Sequence, residues 1–302
     1  MKVDDINFKF FHINKWDNGE FKGDAISTTS ELVKISSDGN LGLKEGQKFE
    51  RGGIYRFTVD VTKGNTKAVL TVEKIGKVDL PAPDIFFGND KMEVTDTDIY
   101  KSEQVFTQGQ MITVTGIDNL NEWWIDPDFF EKQSDGALKF LPINGDYRVT
   151  ANAVLKYFSV MALKDGKPAK LQDDGTGAIW AIGKGIGKPS VTSSEVGWEP
   201  GKALCLAQVA PKKYQLTLKA GETLKTSGDS EVISFKFFHQ NDWGGEFGNY
   251  ANSILVEQLK LTDSGNLEMQ DNKAFEEGAV YRFTIDVTNG NANADLKVEK
   301  IN

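Results

Sequence analysis

The sequence predicts an all-β protein built from tandem antiparallel β-sandwich domains. Three observations carry this. Apolar and polar residues alternate through many short segments, rich in β-branched and aromatic side chains, as in Ile54-Tyr55-Arg56-Phe57-Thr58-Val59-Asp60-Val61. Turn residues separate these segments at short intervals, while no long stretch has a helical period. And the chain repeats itself: residues 6–75, from Ile-Asn-Phe-Lys-Phe-Phe-His to Val-Glu-Lys-Ile, return as residues 233–301, identical at about half of their positions.

The elements follow in chain order. Phe8-Lys9-Phe10 opens a strand, and Phe235-Lys236-Phe237 opens its copy. Short helical turns are expected near Thr28 to Val33. The strand from Ile54 to Val61 turns at Lys63-Gly64-Asn65 into a second strand, Val69 to Ile75, which is a β-hairpin signature. Its copy runs Val280 to Val287, Asn289-Gly290-Asn291, then Leu296 to Ile301. Between the copies, Asp135-Gly136-Ala137-Leu138 and Gly145-Asp146-Tyr147-Arg148-Val149-Thr150 echo the repeat weakly, and a strand follows from Leu155 to Leu163. A further helical turn is expected at Asp126 to Glu131. Linkers are marked by Asp79-Leu80-Pro81-Ala82-Pro83 and by Gln172-Asp173-Asp174-Gly175-Thr176-Gly177, where proline and glycine interrupt strand pairing. The domains are therefore 1–77, a partial sandwich repeat; 84–171, a divergent sandwich; and 176–302, a complete one. The last contains leading strands that the first lacks: Ala178 to Ile182, Ala203 to Val209 and Tyr214 to Leu218. Either the first unit is a reduced sheet or the chain begins inside a domain, and the second is the expectation.

Composition narrows the function classes. The 302 residues carry a formal net charge of -9, so nothing attracts a phosphate backbone and nucleic acid is not an expected partner. No apolar run approaches the roughly 20 residues that a membrane-spanning helix needs. Met1-Lys2-Val3-Asp4-Asp5-Ile6 has no apolar signal region. The single cysteine, Cys205, lies in Ala-Leu-Cys-Leu-Ala and reads as a buried thiol on a strand. One cysteine allows no disulfide and no cysteine-based metal site. No cofactor is expected.

The order of motifs in 176–302 resembles a known family. Ile179-Trp180-Ala181-Ile182-Gly183 is followed by Gly197-Trp198, then Tyr214-Gln215-Leu216-Thr217-Leu218, Phe235-Lys236-Phe237-Phe238 and Trp243. This is similar to the starch-binding modules of the SusE/SusF outer-membrane glycan-binding lipoproteins, and more distantly to starch-binding modules appended to amylases. The resemblance covers 176–302 and, through the repeat, 1–75. It implies immunoglobulin-like or carbohydrate-binding-module-like sandwiches in a non-catalytic, lipid-anchored protein at the cell surface. Such a protein holds polysaccharide or oligosaccharide for outer-membrane transporter components. Two departures stand out. Lys184 to Val196 replaces a short loop, and the anchoring cysteine has no counterpart in this sequence.

A sugar site needs a flat aromatic face against the pyranose C–H face and a few polar groups for the hydroxyls. By the resemblance, Trp243 and Trp198 form that platform. Lys236, Gln240, Asn241, Asp242, Glu246 and Asn249 supply polar partners, and Tyr250 a further ring. Tryptophan is usually largely buried, so packing is the competing role, but Asn241-Asp242-Trp243-Gly244-Gly245 is a loop composition. Trp180, inside an apolar strand, reads as core. Trp16 copies Trp243 without a Gly-Trp counterpart, so a site there is at best half built. His12 and His239 read as strand-end histidines. Of Trp123 and Trp124, adjacent and so on opposite faces of a strand, Trp124 is taken as the ligand-facing one. Asp126 and Asp128 invite a hydrolase reading, which needs two carboxylates about 5–10 Å apart across a cleft; flanking Pro127, they read as turn formers. Asp173-Asp174-Gly175 and Asp96-Thr97-Asp98 lack a calcium-loop ladder, and Gly183-Lys184-Gly185-Ile186-Gly187-Lys188 lacks phosphate-loop spacing. The expected function is non-catalytic binding of a neutral glycan. The alternatives are a structural or adhesion spacer, which predicts buried tryptophans, and an accessory fragment of a glycoside hydrolase.

Overall fold

Where inward residues of a strand are apolar and outward ones polar, burying one face against a second sheet yields a sandwich. Val280–Asp286 shows this directly: Tyr281, Phe283 and Ile285 are at most 1% exposed, while the residues between them are half-buried. A computed structural model describes residues 6–14, 19–50, 52–78 and 83–302. The chain divides into two compact units, Met1–Ala82 and Pro83–Asn302.

In the first unit, Gly53–Asp60 and Ala68–Lys77 form the expected hairpin, and Ile26–Thr28 joins the far side of Ala68–Lys77 in parallel. Val33–Ile35 pairs with Leu41–Leu43. The expected Phe8-Lys9-Phe10 strand is reduced to single bridges, Phe8 to Leu41 and Phe11 to Glu20. A small core of Ile6, Phe21, Ile26, Val33, Leu41, Ala68 and Leu70 holds these pieces. No helical turn forms after Thr28. The Thr28 hydroxyl accepts from the Ser30 amide and the Ser30 hydroxyl from the Leu32 amide, so side chains take the donors a helix would use. Trp16 lies outside the described residues.

In the second unit, the segments separated in sequence at about 171–176 share one continuous buried core, from Ile85 to Val298. The earlier segment is a five-stranded antiparallel sheet centred on Ile99–Phe106, Gly145–Asn152 and Tyr157–Lys164, faced by two small sheets. Phe106 of the large sheet stacks on Phe140 of a small one at 4.9 Å. The later segment is two sheets. One runs Glu195–Gly197, Trp180–Gly187, Ser234–Phe238, Leu267–Met269, Leu259–Leu261; the other runs Ala207–Ala210, Lys213–Lys219, Val280–Asp286, Asp295–Lys300, Asn252–Ile254. They meet through aromatic edges, Phe235 against Phe283 at 5.5 Å. The architecture is thus tandem β-sandwich; among the described residues its strands pair antiparallel except for two short parallel pairings at equivalent places, Ile26–Thr28 and Asn252–Ile254.

Gly183 shows why the central strand is glycine-rich. Its φ is +142°, and a Cβ there would lie 2.3 Å from the Phe235 Cα. Only glycine lets Trp180–Gly187 lie this close to Ser234–Phe238. Gly183 to Gly187 is therefore strand, with Lys188 just beyond its end, and not a phosphate loop. Asp126 to Glu131 is likewise a single turn running into the strand Phe130–Lys132, with the Asp128 amide donating to the Asp126 carboxylate at 3.1 Å.

Candidate functional site

Trp180–Gly187 positions both platform candidates. On one side it pairs with Glu195–Gly197, through Gly183 opposite Gly197, and Trp198 follows at once. On the other it pairs with Ser234–Phe238, and the loop carrying Trp243 follows. That loop closes on itself: the His239 amide donates to the Gly245 carbonyl at 2.7 Å, with Gly244 and Gly245 at positive φ. The Gln240 amide group donates to the Trp243 carbonyl at 2.6 Å, and the Trp243 amide to Asp242 Oδ1 at 2.8 Å. The outcome is a tryptophan pair. The Trp198 and Trp243 rings lie 6.3 Å apart at 26°, an offset, near-parallel arrangement. Phe238 meets Trp243 edge-on at 6.0 Å and backs it from the core. Trp243 is 51% exposed, against 0% for Trp180, while Trp198 is half-buried.

The polar candidates divide. Gln240 and Asp242 brace the backbone of Trp243. Glu246 is exposed and bridges to Phe238 across the base of the loop. Lys236 stands on the strand opposite Ile182, half-buried. Asn249 is exposed. Tyr250 stacks flat on Phe247, at 5.7 Å and 9°, and burial pushes its hydroxyl pKa up. His239 packs its ring against the same Phe247 at 4.2 Å, and burial lowers its pKa. His239 Nε2, Asn241 Oδ1 and Tyr250 Oη are buried with no hydrogen-bond partner among the described residues. Unsatisfied buried polar atoms are few in folded proteins, and these three share one loop.

Trp124 belongs elsewhere. Its Nε1 donates to Glu222 at 2.7 Å and its ring meets Tyr157, while Trp123 stacks on Phe158 in the core. Beside Trp124 lies a cluster that sequence patterns left unassembled. Lys188, 4% exposed, stands 5.9 Å from the Trp124 ring and donates to both oxygens of Asp126 at 2.9 and 2.8 Å and to Asp128 at 3.1 Å. Asp128 also accepts from Gln215 Nε2 at 2.7 Å and from the Thr217 amide and hydroxyl, both at 2.6 Å. Burial raises the Asp126 pKa, with the Asp128 charge adding to it against Lys188. At Asp128 burial acts the same way, but Lys188 and the Gln215 and Thr217 donors outweigh it, so its pKa is lowered. Both aspartates are closed from solvent, so no cleft brings a substrate to them. They serve as turn formers and also as an ionic clasp between the two halves of the second unit. The only hint in sequence was apolar company, Phe129-Phe130 beside the aspartates and Ile186 beside the lysine; nothing local pairs residues about sixty positions apart.

A depressed carboxylate pKa stabilises the fold above its unfolded value, near 3.9, and that contribution is lost as the pH falls through the folded value. Asp128→Asn removes it. The gap in urea midpoint between wild type and Asp128→Asn is therefore expected to be widest near neutrality and to shrink below about pH 4. Midpoints measured from pH 2.5 to 7 check this, and a gap independent of pH would refute it.

Cys205, on Leu204–Cys205 beside Trp180, is buried as expected, and burial pushes its thiol up to about 12. Asp174 is occupied by the Thr176 amide and hydroxyl. Comparison with known proteins found no match among curated proteins. A family model described as "Domain of unknown function (DUF5125)" matches residues 50–171. Another, "Domain of unknown function (DUF5121)", matches residues 1–62 and 174–288, more than half of the chain, and reaches into both repeat copies found above. By that match, the chain belongs to the DUF5121 family.

Proposed function

We propose that this is a non-catalytic surface protein of a polysaccharide-uptake system that binds a neutral glycan on the Trp198–Trp243 pair. The observation that carries the reading is the exposure of Trp243 on a braced loop beside a near-parallel second ring. A spacer has no use for a half-exposed indole held in one orientation, whereas a pyranose C–H face packs on such a ring. Exposed Glu246 and Asn249 in the same segment can hydrogen-bond sugar hydroxyls. The net charge of -9 opposes a polyanionic glycan. The motif order shared with SusE/SusF modules supports the surface location, the lipid anchor and a transporter as neighbour. A shallow single platform binds modestly and gains from several contacts along one polymer.

Native affinity electrophoresis against soluble glucans, mannans, xylans and fructans tests this, with Trp243→Ala alongside. Retardation by a neutral glycan is expected, with at least a tenfold weaker apparent affinity for the variant. A folded wild-type protein that no glycan retards would return the choice to the spacer.

A further inference from the structure

The Lys188 cluster holds, in one closed place, the two groups that make an amide. An amine that has lost a proton attacks a carboxyl carbon, and the products are an amide and water. Lys188 Nζ lies 2.9 Å from Oδ1 and 2.8 Å from Oδ2 of Asp126, so it faces the carbon that joins them. Reacting groups fixed in contact behave as if at an effective concentration of about 10⁵–10⁸ M. Burial favours the product. Two charges are costly to take from water, whereas an amide is neutral. Trp124 stands 5.9 Å from Nζ with Tyr157 against it, and Lys188, Asp126 and Asp128 are all closed from the bulk water that hydrolysis of an amide needs.

We propose that the cluster is a self-modification site, at which Lys188 Nζ and the Asp126 carboxyl condense into an intramolecular amide with Asp128 as the proton carrier. The two aspartates differ in their surroundings. Asp128 accepts from Gln215 Nε2 and the Thr217 hydroxyl on Oδ1, and from the Thr217 amide and Lys188 on Oδ2, so donors hold it as a carboxylate. Asp126 accepts from Lys188 and, on Oδ1, from the Asp128 amide. Burial, with the Asp128 charge adding to it, raises the Asp126 pKa, which makes this carboxyl the easier one to protonate and so to attack. Burial works to lower the Lys188 pKa, but the two carboxylates outweigh it and raise it, so the amine is freed inside the site rather than by loss of a proton to solvent. Its first proton passes through Asp128 Oδ2, 3.1 Å away, to Asp126. Nζ then bonds to Asp126 Cγ, and the Asp128 amide stabilises the oxyanion on Oδ1. A second proton follows the same route to Oδ2, the bond from Cγ to Oδ2 breaks, and Oδ2 leaves with both protons as water. Asp128 ends as it began. The amide ties the turn before Phe130–Lys132 to the residue after Trp180–Gly187, across 62 positions of sequence. It needs no cleft, because both reactants belong to the chain. This inference is independent of the glycan site.

Mass spectrometry of the full chain under denaturing conditions tests this. The wild-type chain is expected to be lighter than its sequence by one water, and its digest to contain a branched peptide joining Asp126 to Lys188. Lys188→Arg keeps the charge but offers a guanidinium that does not deprotonate, so it is expected to show the full mass. Asp128→Asn keeps the shape without the proton carrier, and its cross-linked fraction is expected to be about tenfold lower or less. Should either variant fail to fold, the wild-type mass and the branched peptide still decide. A wild-type chain at its full sequence mass would overturn the proposal. So would a water loss that persists in Lys188→Arg, a branch at Asp128 in place of Asp126, or cross-linking as complete in Asp128→Asn as in the wild type.

Discussion

Replacing Lys188 with methionine is expected to destabilise the second unit by about 3–5 kcal/mol, because it leaves two buried carboxylates without their counter-charge. Lys188 is the one cation hydrogen-bonded to both Asp126 and Asp128 among the described residues, and all three are at most 4% exposed. In a unit of this size that loss is about 6–20 °C in melting temperature. The pH dependence gives the sign. With Lys188 gone, burial and mutual repulsion raise both carboxylate pKa values above the unfolded range. Stability then holds while the pair can protonate and falls as the pH rises through the folded values, so the deficit should be larger at pH 8 than at pH 4. Adding Asp126→Asn to Lys188→Met removes one charge, and the double variant is expected to recover part of the loss. Calorimetry of the three proteins decides it. A Lys188→Met variant within about 1 kcal/mol of wild type would mean that the clasp contributes no net stability, as some buried ion pairs do not.

Trp180→Ala carries the next largest effect, about 3–5 kcal/mol. The indole is 0% exposed, on a strand paired on both sides, and its Nε1 donates to the Ala169 carbonyl at 3.0 Å, across the boundary between the two halves of the second unit. Truncation creates a large cavity and leaves that buried carbonyl without its donor. Trp180→Phe keeps most of the ring, so its cost should be nearer 1–3 kcal/mol, set by the lost hydrogen bond. Urea unfolding followed by circular dichroism separates the two. Equal losses would assign the effect to the hydrogen bond, and a loss under about 1 kcal/mol for alanine would contradict the packing. Because Lys188 and Trp180 both tie residues before 171 to residues after 176, each variant should lower the midpoint of a single cooperative transition of residues 83–302.

Much of the fold is legible without coordinates, for a local reason. A strand declares itself in a period of two, so the hairpins at Gly53–Asp60 and Val280–Asp286 follow from alternation and a Gly-Asn turn. The repeat likewise announces two copies of one arrangement, but the short parallel strand that both share, Ile26–Thr28 and Asn252–Ile254, emerges only in the fold. Half of the ring pair could also be read: Asn-Asp-Trp-Gly-Gly is loop chemistry, and Trp243 is exposed. Trp198 is reached only through motif order.

Tertiary packing decided the rest. That Trp198 and Trp243 lie 6.3 Å apart depends on both flanking one strand, a matter of sheet order rather than of either segment's pattern. Asp126 and Asp128 do form the turn their spacing suggests, but only the fold brings Lys188, from a stretch that reads as loop, between them. Residues 84–171 and 176–302 look like separate modules because glycine and aspartate mark a turn between them, yet their cores are continuous. Periodicity and turn chemistry act over a few residues and are written in the chain. Burial of a charge, contact of two rings and fusion of two cores act between residues tens of positions apart, and exist only once the sheets have packed.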